Sequence, residues 1–241
     1  MGYPDIRFIS FIVPAHNEAF EISRALKSIF DSARAAGVAF EVIVVNDAST
    51  DRTAEIAHEA GARVVDVHLR KISAVRNAGA REAKGNVFFF IDADTQISEA
   101  TLRAALAALD RGAAGGGAWV TFGEPVSLGV RIGINVFSFF YMRLLHWAAG
   151  CFLYARREAF KAAGGFDETL FACEEIVLSM ALKRQGPFVV LRQSITTSGR
   201  KIRMYSPWLI IPLAARFMIH GPAIFRQRKG LEWWYEGKRE K

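Results

Sequence analysis

One stretch, residues 86–95, limits the fold more than any other part of the sequence. Within it residues 88–91 are wholly apolar, and Asp92 and Asp94 follow at once. An uninterrupted apolar run of this length is typical of a strand buried on both faces, as in a parallel sheet covered by helices. Because a buried carboxylate is costly unless it is paired or binds a metal, we expect both aspartates at the open end of that strand.

The two aspartates have two interpretations. Separated by one residue, their carboxylates can reach one hard divalent cation, Mg²⁺ or Mn²⁺, and a cation held in this way keeps open positions for substrate phosphates. The alternative is that Asp92 and Asp94 only cap the helix that Ser98 begins. An isolated D-x-D pattern favours the cap, because the pattern is common, so the choice depends on the rest of the chain.

Segments with strand-like and helix-like patterns alternate on either side of this stretch. Such alternation predicts βαβ units and an α/β fold with a parallel sheet. Strands are predicted at residues 7–13, 40–45, 62–67 and 88–91, and helices between Asn17, the expected N-cap, and Gly37, at residues 52–60 and at residues 71–83.

The later part of the chain is less regular. Residues 112–117 are rich in glycine and are expected to form a flexible link, whereas Gly164 and Gly165 are expected to form a tight turn. Residues 130–147 have helical spacing but are very aromatic, which fits core packing, an acceptor pocket or a membrane-facing surface. Further helices are predicted at residues 102–109, at 157–163 and after Glu175, and further strands at 118–122 and 150–154.

Composition limits the class of protein and its partners. A chain of 241 residues fits one α/β domain or two small ones, and its net charge of +7 indicates anionic partners. A hydrophobic content of 51% leaves room for a membrane-facing surface. Cys151 and Cys173 lack the spacing of metal ligands, so we expect reduced thiols in a cytosolic protein. We expect no signal peptide, because no basic region followed by an apolar core opens the sequence.

The ligand of such a sheet is expected beyond the carboxyl ends of its strands. That rule places three loops on one rim, at residues 14–18, 46–51 and 92–95. No G-x-G-x-x-G pattern follows the first strand, which argues against a dinucleotide-binding domain, and the chain has no G-x-x-x-x-G-K-[ST] pattern of a P-loop. Nucleotide phosphates would therefore be bound by a metal and by basic side chains.

Six short motifs occur along the chain, and together they carry a resemblance. They are residues 12–18, residues 44–51, residues 76–79, residues 91–94, residues 164–168 and the pair Glu174-Glu175. Their order and spacing resemble those of the family 2 glycosyltransferases of the GT-A fold over most of the chain. The resemblance implies a GT-A-like, mostly parallel sheet flanked by helices, a UDP- or GDP-sugar donor and a divalent metal, Mn²⁺ or Mg²⁺.

The resemblance also implies roles for single residues. Asp47 would accept a hydrogen bond from the base, and Arg76 would lie near the base or the phosphates. Asp92 would accept hydrogen bonds from the ribose hydroxyls of the nucleotide, and Asp94 would ligate the metal that bridges the diphosphate. Both roles suit carboxylate oxygens. The implied nucleotide-binding residues are Pro14, Ala15, Glu18, Asp47, Arg76, Asp92 and Ala93, and the implied metal ligands are Asp94 and Asp92.

Three of these residues have a structural alternative. Glu18 would then serve only in the first turn of its helix, Asp47 would be only a turn residue, and Arg76 would be a solvated helix charge.

The acid pair supplies the candidate catalytic residues. By the resemblance, the second acid, Glu175, is the base that deprotonates the acceptor hydroxyl, although the family usually has aspartate there. Glu174 suits a helix N-terminus for electrostatic reasons alone. The family often has a histidine after this helix. In this chain the corresponding region contains Arg200 and Lys201, which are expected to bind the diphosphate directly.

The last segment, residues 204–241, is predicted to form a separate basic, amphipathic helical appendage to a catalytic domain of residues 1–203. Its apolar part approaches the length of a membrane span, but Arg216 falls inside it, and a central arginine costs ~3 kcal/mol on insertion scales. A helix in the membrane interface fits better. The alternative is a helix packed on the domain, or an oligomer contact.

The resemblance, together with the residues that carry it, implies a metal-dependent, inverting glycosyltransferase, and the aromatic stretch favours a lipid-linked or small apolar acceptor. We expect it in the cytoplasm, peripherally bound at the inner face of the cell membrane, and without nucleic acid as a partner. One rival is a nucleotidyltransferase, although residues 14–20 do not form the glycine-rich, basic loop that would bind triphosphate. The other rival is a non-catalytic nucleotide-sugar-binding protein associated with the membrane.

Overall fold

The computed structural model of the protein describes residues 6, 8–123, 146–198 and 225–226. The predictions for residues 130–145, for Arg200 and Lys201, and for the boundary between residues 203 and 204 lie outside these residues. The strands are β1 (Ile9–Ala15), β2 (Phe40–Asp47), β3 (Arg63–Val67), β4 (Val87–Ile91), β5 (Thr95–Gln96), β6 (Gly115–Phe122), β7 (Phe152–Arg156) and β8 (Phe188–Thr197). The helices are α1 (Ile22–Ala36), α2 (Thr53–Glu59), α3 (Ile72–Glu82), α4 (Glu99–Asp110), α5 (Arg157–Ala162) and α6 (Glu174–Lys183).

The described strands form one eight-stranded sheet in the order β3-β2-β1-β4-β7-β6-β8-β5. β1 pairs in parallel with both β2 and β4, and β2 pairs in parallel with β3. β7 is antiparallel to its neighbours β4 and β6, and β6 pairs in parallel with β8. The predicted α/β architecture, a mostly parallel central sheet with flanking helices, is confirmed.

The core lies on both faces of β1 and β4. Phe11 and Phe89 pack together on the face covered by α1 and α4, with ring centroids 5.2 Å apart. Ile12, Phe88 and Phe90 point to the opposite face, where they join side chains of α3 and α6. All five side chains are at most 1% exposed, so β4 is buried on both faces, as its apolar sequence predicts.

The first helix begins later than predicted. α1 has Glu21 as its N-cap, and Asn17 lies in the preceding loop with φ of +52°. The side-chain Oδ1 of Asn17 accepts a hydrogen bond from the backbone N–H of Thr50 at 2.7 Å. The prediction of Asn17 as an N-cap was wrong because its short amide side chain connects two loops instead.

The predicted flexible link at residues 112–117 was wrong in its second half. Residues 115–117 open β6 and pair with β7 on one side and β8 on the other. A Cβ atom on Gly116 would overlap the carbonyl oxygen of Val189. These glycines are therefore required by the close approach of neighbouring strands, and not by a need for flexibility.

β8 was not predicted, although β-branched residues are frequent in it. Its last residues pair with the short β5, where Thr197 lies opposite Thr95. This pairing brings the end of β8 next to the residues that follow β4. Among the described residues, no helix combines the length and the apolarity needed to cross a membrane.

Candidate active site

The loops after β1 and β2 are joined by hydrogen bonds. The backbone N–H of Asn17 donates to Oγ of Ser49 at 3.0 Å, and that of Glu18 donates to Oγ1 of Thr53 at 2.8 Å. These bonds hold both loops at the carboxyl ends of adjacent parallel strands, which is where ligands of open α/β sheets bind.

Asp47, the last residue of β2, is 5% exposed and fixes a third loop. Its Oδ1 accepts a hydrogen bond from the backbone N–H of Leu69 at 2.7 Å, and its Oδ2 accepts one from that of Arg70 at 2.8 Å. Asp47 is thus more than a turn residue. Because a carboxylate can accept about four hydrogen bonds, Oδ2 retains capacity for another donor. The contact of Asp47 with a base stays a prediction.

His16 and Arg70 complete this cluster. Nδ1 of His16 lies 2.6 Å from the carbonyl oxygen of Asp47, and its Nε2 lies 2.6 Å from Nη1 of Arg70. A carbonyl oxygen only accepts and a guanidinium only donates, so the network assigns the proton of a neutral His16 to Nδ1. Sequence reasoning missed both residues. His16 lies inside a recognised motif, but no local signal marks Arg70.

Backbone strain is concentrated around Asp47. Asn17, Ala48 and Arg70 have φ values of +52°, +53° and +52°. Such a conformation in a residue other than glycine costs ~1–3 kcal/mol, and these outliers tend to cluster at functional sites. All three residues belong to loops that contact or follow Asp47.

Asp92 and Asp94 leave the carboxyl end of β4, as predicted. The backbone N–H of Thr95 donates to the carbonyl oxygen of Asp92 at 2.9 Å, which closes a turn. The N-cap of α4 is Ser98, whose Oγ accepts from the backbone N–H of Thr101 at 3.2 Å. The alternative in which the two aspartates only cap α4 is therefore excluded.

The carboxylate of Asp94 is half-buried against the end of β8. Its Oδ1 accepts from Oγ1 of Thr197 at 3.3 Å and from Oγ1 of Thr95 at 3.4 Å. The backbone N–H of Ser198 donates to the carbonyl oxygen of Asp94 at 3.2 Å. β8, which the sequence did not predict, thus orients Asp94, which the resemblance implies as a metal ligand.

The chemistry of these donors fits a divalent cation of the Mg²⁺ or Mn²⁺ type. Asp92 and Asp94 offer hard carboxylate oxygens, which such cations prefer. Within the described parts of the chain, no group of three or more histidine, cysteine, aspartate or glutamate residues converges on one point. Two carboxylates leave positions for water and phosphate oxygens, as is usual for Mg²⁺ bound with a nucleotide.

Arg76, on α3, is 2% exposed, which excludes the alternative of a solvated helix charge. Its Nη1 donates to Oε1 of Glu174 at 2.6 Å, and its Nη2 donates to Oδ1 of Asp92 at 2.8 Å and to the carbonyl oxygen of Gly150 at 2.7 Å. Burial lowers the pKa of Arg76, but Asp92 and Glu174 raise it further, so the pKa lies above its ordinary value. Arg76 is therefore permanently charged.

The two members of the acid pair have different surroundings. Glu174, the first residue of α6, is 5% exposed and ion-paired with Arg76. Glu175 is only half-buried, and its carboxyl carbon lies near Gly150, 3.6 Å from the position that a Cβ atom would take there. Glu175 is thus the more accessible carboxylate, as its assignment as the base requires.

The loop before α6 is attached to α3. The turn at Gly164 and Gly165 has φ values of +84° and +74°, which confirms the predicted tight turn. Nδ2 of Asn77 donates to the carbonyl oxygen of Phe166 at 2.9 Å, and the N–H of Phe166 donates back to Oδ1 of Asn77 at 3.0 Å. Further along the loop, the N–H of Phe171 donates to the carbonyl oxygen of Phe225 at 2.8 Å.

The remaining candidate residues lie on the same rim. Pro14 and Ala15 are the last two residues of β1, and they are buried, as is Ala93. Glu18 lies in the loop before α1, and its carbonyl oxygen accepts hydrogen bonds from the backbone N–H of Glu21 at 3.0 Å and of Ile22 at 2.9 Å, so both of its interpretations stay predictions. Their nucleotide contacts stay predictions, as do the phosphate contacts of Arg200 and Lys201.

Relatives of known name share part of this sequence. The chain is 32% identical over 117 residues to an undecaprenyl-phosphate 4-deoxy-4-formamido-L-arabinose transferase of Edwardsiella ictaluri, a match that covers 46% of this chain and 36% of the relative. It is 35% identical over 97 residues to a 4,4'-diaponeurosporenoate glycosyltransferase of Staphylococcus haemolyticus, covering 37% of this chain and 25% of the relative. The matches thus span about a third or less of these relatives.

Solved structures share the fold. The mannosyltransferase PcManGT of Pyrobaculum calidifontis, in complex with GDP-Man and Mn²⁺, aligns with a TM-score of 0.66 at 20% identity, over 94% of this chain and 64% of that one. TarS of S. aureus (residues 1–349), in complex with UDP-GlcNAc, aligns with a TM-score of 0.62 at 21% identity, over 79% of this chain and 58% of that one. These likenesses confirm the predicted GT-A-like fold.

A family model confirms the family that the motifs predicted for this chain. The model described as glycosyl transferase family 2 matches residues 10–165, which include the loops at Asp47, the Asp92–Asp94 pair and Arg76. Because the match covers more than half of the chain, it shows the family, and the chain belongs to glycosyl transferase family 2.

Proposed function

We propose that the protein transfers a sugar from a nucleotide diphosphate to an acceptor hydroxyl, with inversion at the anomeric carbon. The observation that carries this proposal is the placement of two pairs of acidic residues on either side of Arg76. Asp92 and Asp94 lie at the end of β4, and the acid pair opens α6. The guanidinium contacts both Asp92 and Glu174, so the two groups face one site.

The donor would lie across the loops after β1, β2 and β4. Asp47 has acceptor capacity for an N–H of the base, and Asp92 has a second carboxylate oxygen for a ribose hydroxyl. A divalent cation held by Asp94 and Asp92 would stabilise the charge that develops on the leaving diphosphate. The names of two solved relatives support such donors, since one complex contains GDP-Man with Mn²⁺ and the other contains UDP-GlcNAc.

Glu175 would act as the general base. It takes the proton of the acceptor hydroxyl while that oxygen forms a bond to the anomeric carbon. The bond from the anomeric carbon to the diphosphate oxygen breaks at the same time, and the nucleoside diphosphate leaves with the electron pair. One base acting in a direct displacement inverts the anomeric carbon.

The names of relatives point to a second acceptor class, the phosphate group of a polyprenyl lipid. The transferase of Edwardsiella ictaluri is named for undecaprenyl phosphate, and a Trichomonas vaginalis relative is a dolichyl-phosphate β-glucosyltransferase. A phosphate oxygen is already ionised at neutral pH and needs no base. A hydroxyl does need one, so the half-buried Glu175 favours a hydroxyl acceptor, carried on a lipid or on a small apolar molecule.

The test is a screen of nucleoside diphosphates and sugar nucleotides. A ligand that binds only the folded protein raises its melting temperature, so UDP or GDP should do so, more strongly with Mn²⁺. With the donor identified, NMR of the product on hydroxyl and polyprenyl-phosphate acceptors gives the anomeric configuration and the acceptor class. Stabilisation by nucleoside triphosphates, with release of pyrophosphate, would favour the nucleotidyltransferase. A protein that binds the donor but neither transfers the sugar nor slowly hydrolyses the donor would favour the non-catalytic binding protein.

A further inference from the structure

We propose that Arg76 is a positioning residue that sets the place of the catalytic base relative to the donor, and that it does not contact the nucleotide. This inference rests on the proposed function. It begins from the burial of a charged group: a guanidinium removed from water is stable only where ion pairs and hydrogen bonds replace its hydration. Arg76 is 2% exposed, and its two terminal nitrogens make three contacts at 2.6–2.8 Å.

The N–H groups of the Arg76 guanidinium point to groups of the protein. Nη1 points to Glu174, and Nη2 is shared between Asp92 and Gly150. Nε is buried and has no hydrogen-bond partner among the described residues. The ring of Phe166 lies 5.3 Å from the guanidinium carbon. The guanidinium is thus enclosed by the protein, whereas a nucleotide contact would need an accessible N–H.

The partners of Arg76 belong to the two halves of the proposed reaction. Asp92 is on the donor side, at the end of β4, and Glu174 is covalently next to Glu175 at the start of α6. A planar guanidinium holds two carboxylates in a fixed geometry, which a single ammonium group cannot reproduce. Arg76 therefore connects the strand that would hold the donor to the helix that carries the base.

This connection predicts an effect on turnover and not on donor binding. A base displaced by about 1 Å loses about 10²-fold in rate even when the chemical groups are intact. We expect Arg76→Lys to lower kcat by about tenfold or more. The affinity for the nucleoside diphosphate should fall far less than kcat, since Arg76 reaches the donor only through Asp92.

The experiment measures kcat, KM and donor affinity for four proteins: the parent, Arg76→Lys, Glu175→Gln and the double variant. If Arg76 acts through the base, its substitution causes little further loss of kcat once Glu175 is glutamine, because residues that act as a unit are non-additive. Full additivity of the two losses would overturn the proposal. A lower nucleotide affinity at unchanged kcat would also overturn it, and would return Arg76 to the nucleotide-binding residues.

Arg81→Lys is the matched control. Arg81 is on the same helix, but its side chain is 64% exposed and its ion pair with Glu168 is 3.8 Å long. This variant should behave as the parent. Melting temperatures show whether each variant is folded at the assay temperature. If the parent transfers no sugar, the proposed function fails, and a crystal structure of Arg76→Lys still decides the positioning role: an unmoved start of α6 would overturn it.

Discussion

The backbone N–H of Arg70 lies within hydrogen-bond distance of both carboxylate oxygens of Asp47, 3.1 Å from Oδ1 and 2.8 Å from Oδ2. The residue proposed to recognise the base therefore also holds the loop between β3 and α3. One carboxylate would combine two tasks, fixing the shape of the pocket and binding the ligand. The two tasks can be separated in a variant of Asp47, because ligand affinity reports on the first contact and the free energy of unfolding reports on the loop.

Asp47→Ala should weaken nucleoside and nucleoside diphosphate alike, with or without Mn²⁺, because the base loses its acceptor. The variant should also lose ~0.5–1.5 kcal/mol of stability for each hydrogen bond that the N–H groups of Leu69 and Arg70 no longer make. Calorimetric titration and urea unfolding measure the two effects. Asp66→Ala is the control, since the carboxylate of Asp66 accepts from Nδ2 of Asn46 at 2.7 Å and not from the N–H groups of Leu69 and Arg70. A loss confined to diphosphate ligands would remove Asp47 from the base contact.

Asp94→Ala should abolish the extra stabilisation that Mn²⁺ gives with a nucleoside diphosphate, because the diphosphate loses its bridge to the protein. Binding of the nucleoside alone should not change. Thermal shifts with and without Mn²⁺ measure the difference. Thr197→Val, which removes a hydroxyl that donates to Asp94 at 3.3 Å, should weaken the metal effect to a smaller degree. An unchanged metal dependence in Asp94→Ala contradicts the assignment.

Glu175→Gln should lower the transfer rate to a hydroxyl acceptor by at least ~10², since a positioned general base typically supplies ~10²–10⁴. Donor affinity should remain near that of the parent, because only the transition state loses an interaction. Steady-state kinetics and calorimetry give the two values. With a phosphate acceptor the same variant should keep most of its rate, which makes it a test of acceptor class as well.

Glu174→Gln is the companion variant to Glu175→Gln. Because Glu174 is buried and ion-paired with Arg76, removing its charge should lower stability, by ~3–5 kcal/mol for a broken buried pair. Urea unfolding measures this loss. If Glu174→Gln is inactive although folded, and Glu175→Gln has normal turnover, the roles within the pair are reversed. If both keep turnover, Asp167, which lies in the loop before α6, becomes the next candidate for the base.

Gly116→Ala should strongly destabilise the fold, because its methyl group would overlap the carbonyl oxygen of Val189 in the neighbouring strand. Gly112→Ala separates this cause from backbone conformation. Gly112 has φ of +92° but no atom within 4 Å of the added Cβ, so only backbone strain of ~1–3 kcal/mol is expected there. Urea unfolding of both variants measures the difference. Equal losses would mean that steric overlap in β6 is not the reason for its glycines.

Arg228→Gln together with Lys229→Gln should weaken binding to anionic liposomes at low salt, by ~1 kcal/mol for each basic residue near the surface. This prediction comes from the sequence of residues 204–241 and from the proposed peripheral contact with a membrane. Sedimentation with phosphatidylserine vesicles measures it. Lys27→Gln is the control, because that side chain is 77% exposed on α1. Full-length protein that ignores such vesicles would favour a helix packed on the domain.

The sequence predicted the parts of the fold that depend on local pattern. The apolar runs of β1, β2 and β4 and the helices between them follow from hydrophobic periodicity, and Ser98 caps α4 where its residue type predicts. β6 was partly missed because glycine disfavours strands, and its place in the sheet depends on how closely β8 approaches Gly116. Local pattern carries no information about that approach.

The site was predicted as a set of residues but not as a set of contacts. Asp47, Asp92, Asp94 and the acid pair lie at the expected rim. Arg76, however, pairs with Asp92, 16 positions away, and with Glu174, 98 positions away, and burial of its charge is decided by both partners together. The sequence did not predict Arg70 for a similar reason, since the loop that carries Arg70 is held in place by the carboxylate of Asp47 on another strand.

Phe225 lies beyond the predicted end of the catalytic domain, yet it is 2% exposed and packs with Leu170 in the loop before the acid pair. Its carbonyl oxygen also accepts the N–H of Phe171. For the evolution of this chain, positions 225 and 170 are consequently not independent of each other. A replacement of Phe225 would have to fill the space beside Leu170, so we expect changes at these two positions to be inherited together.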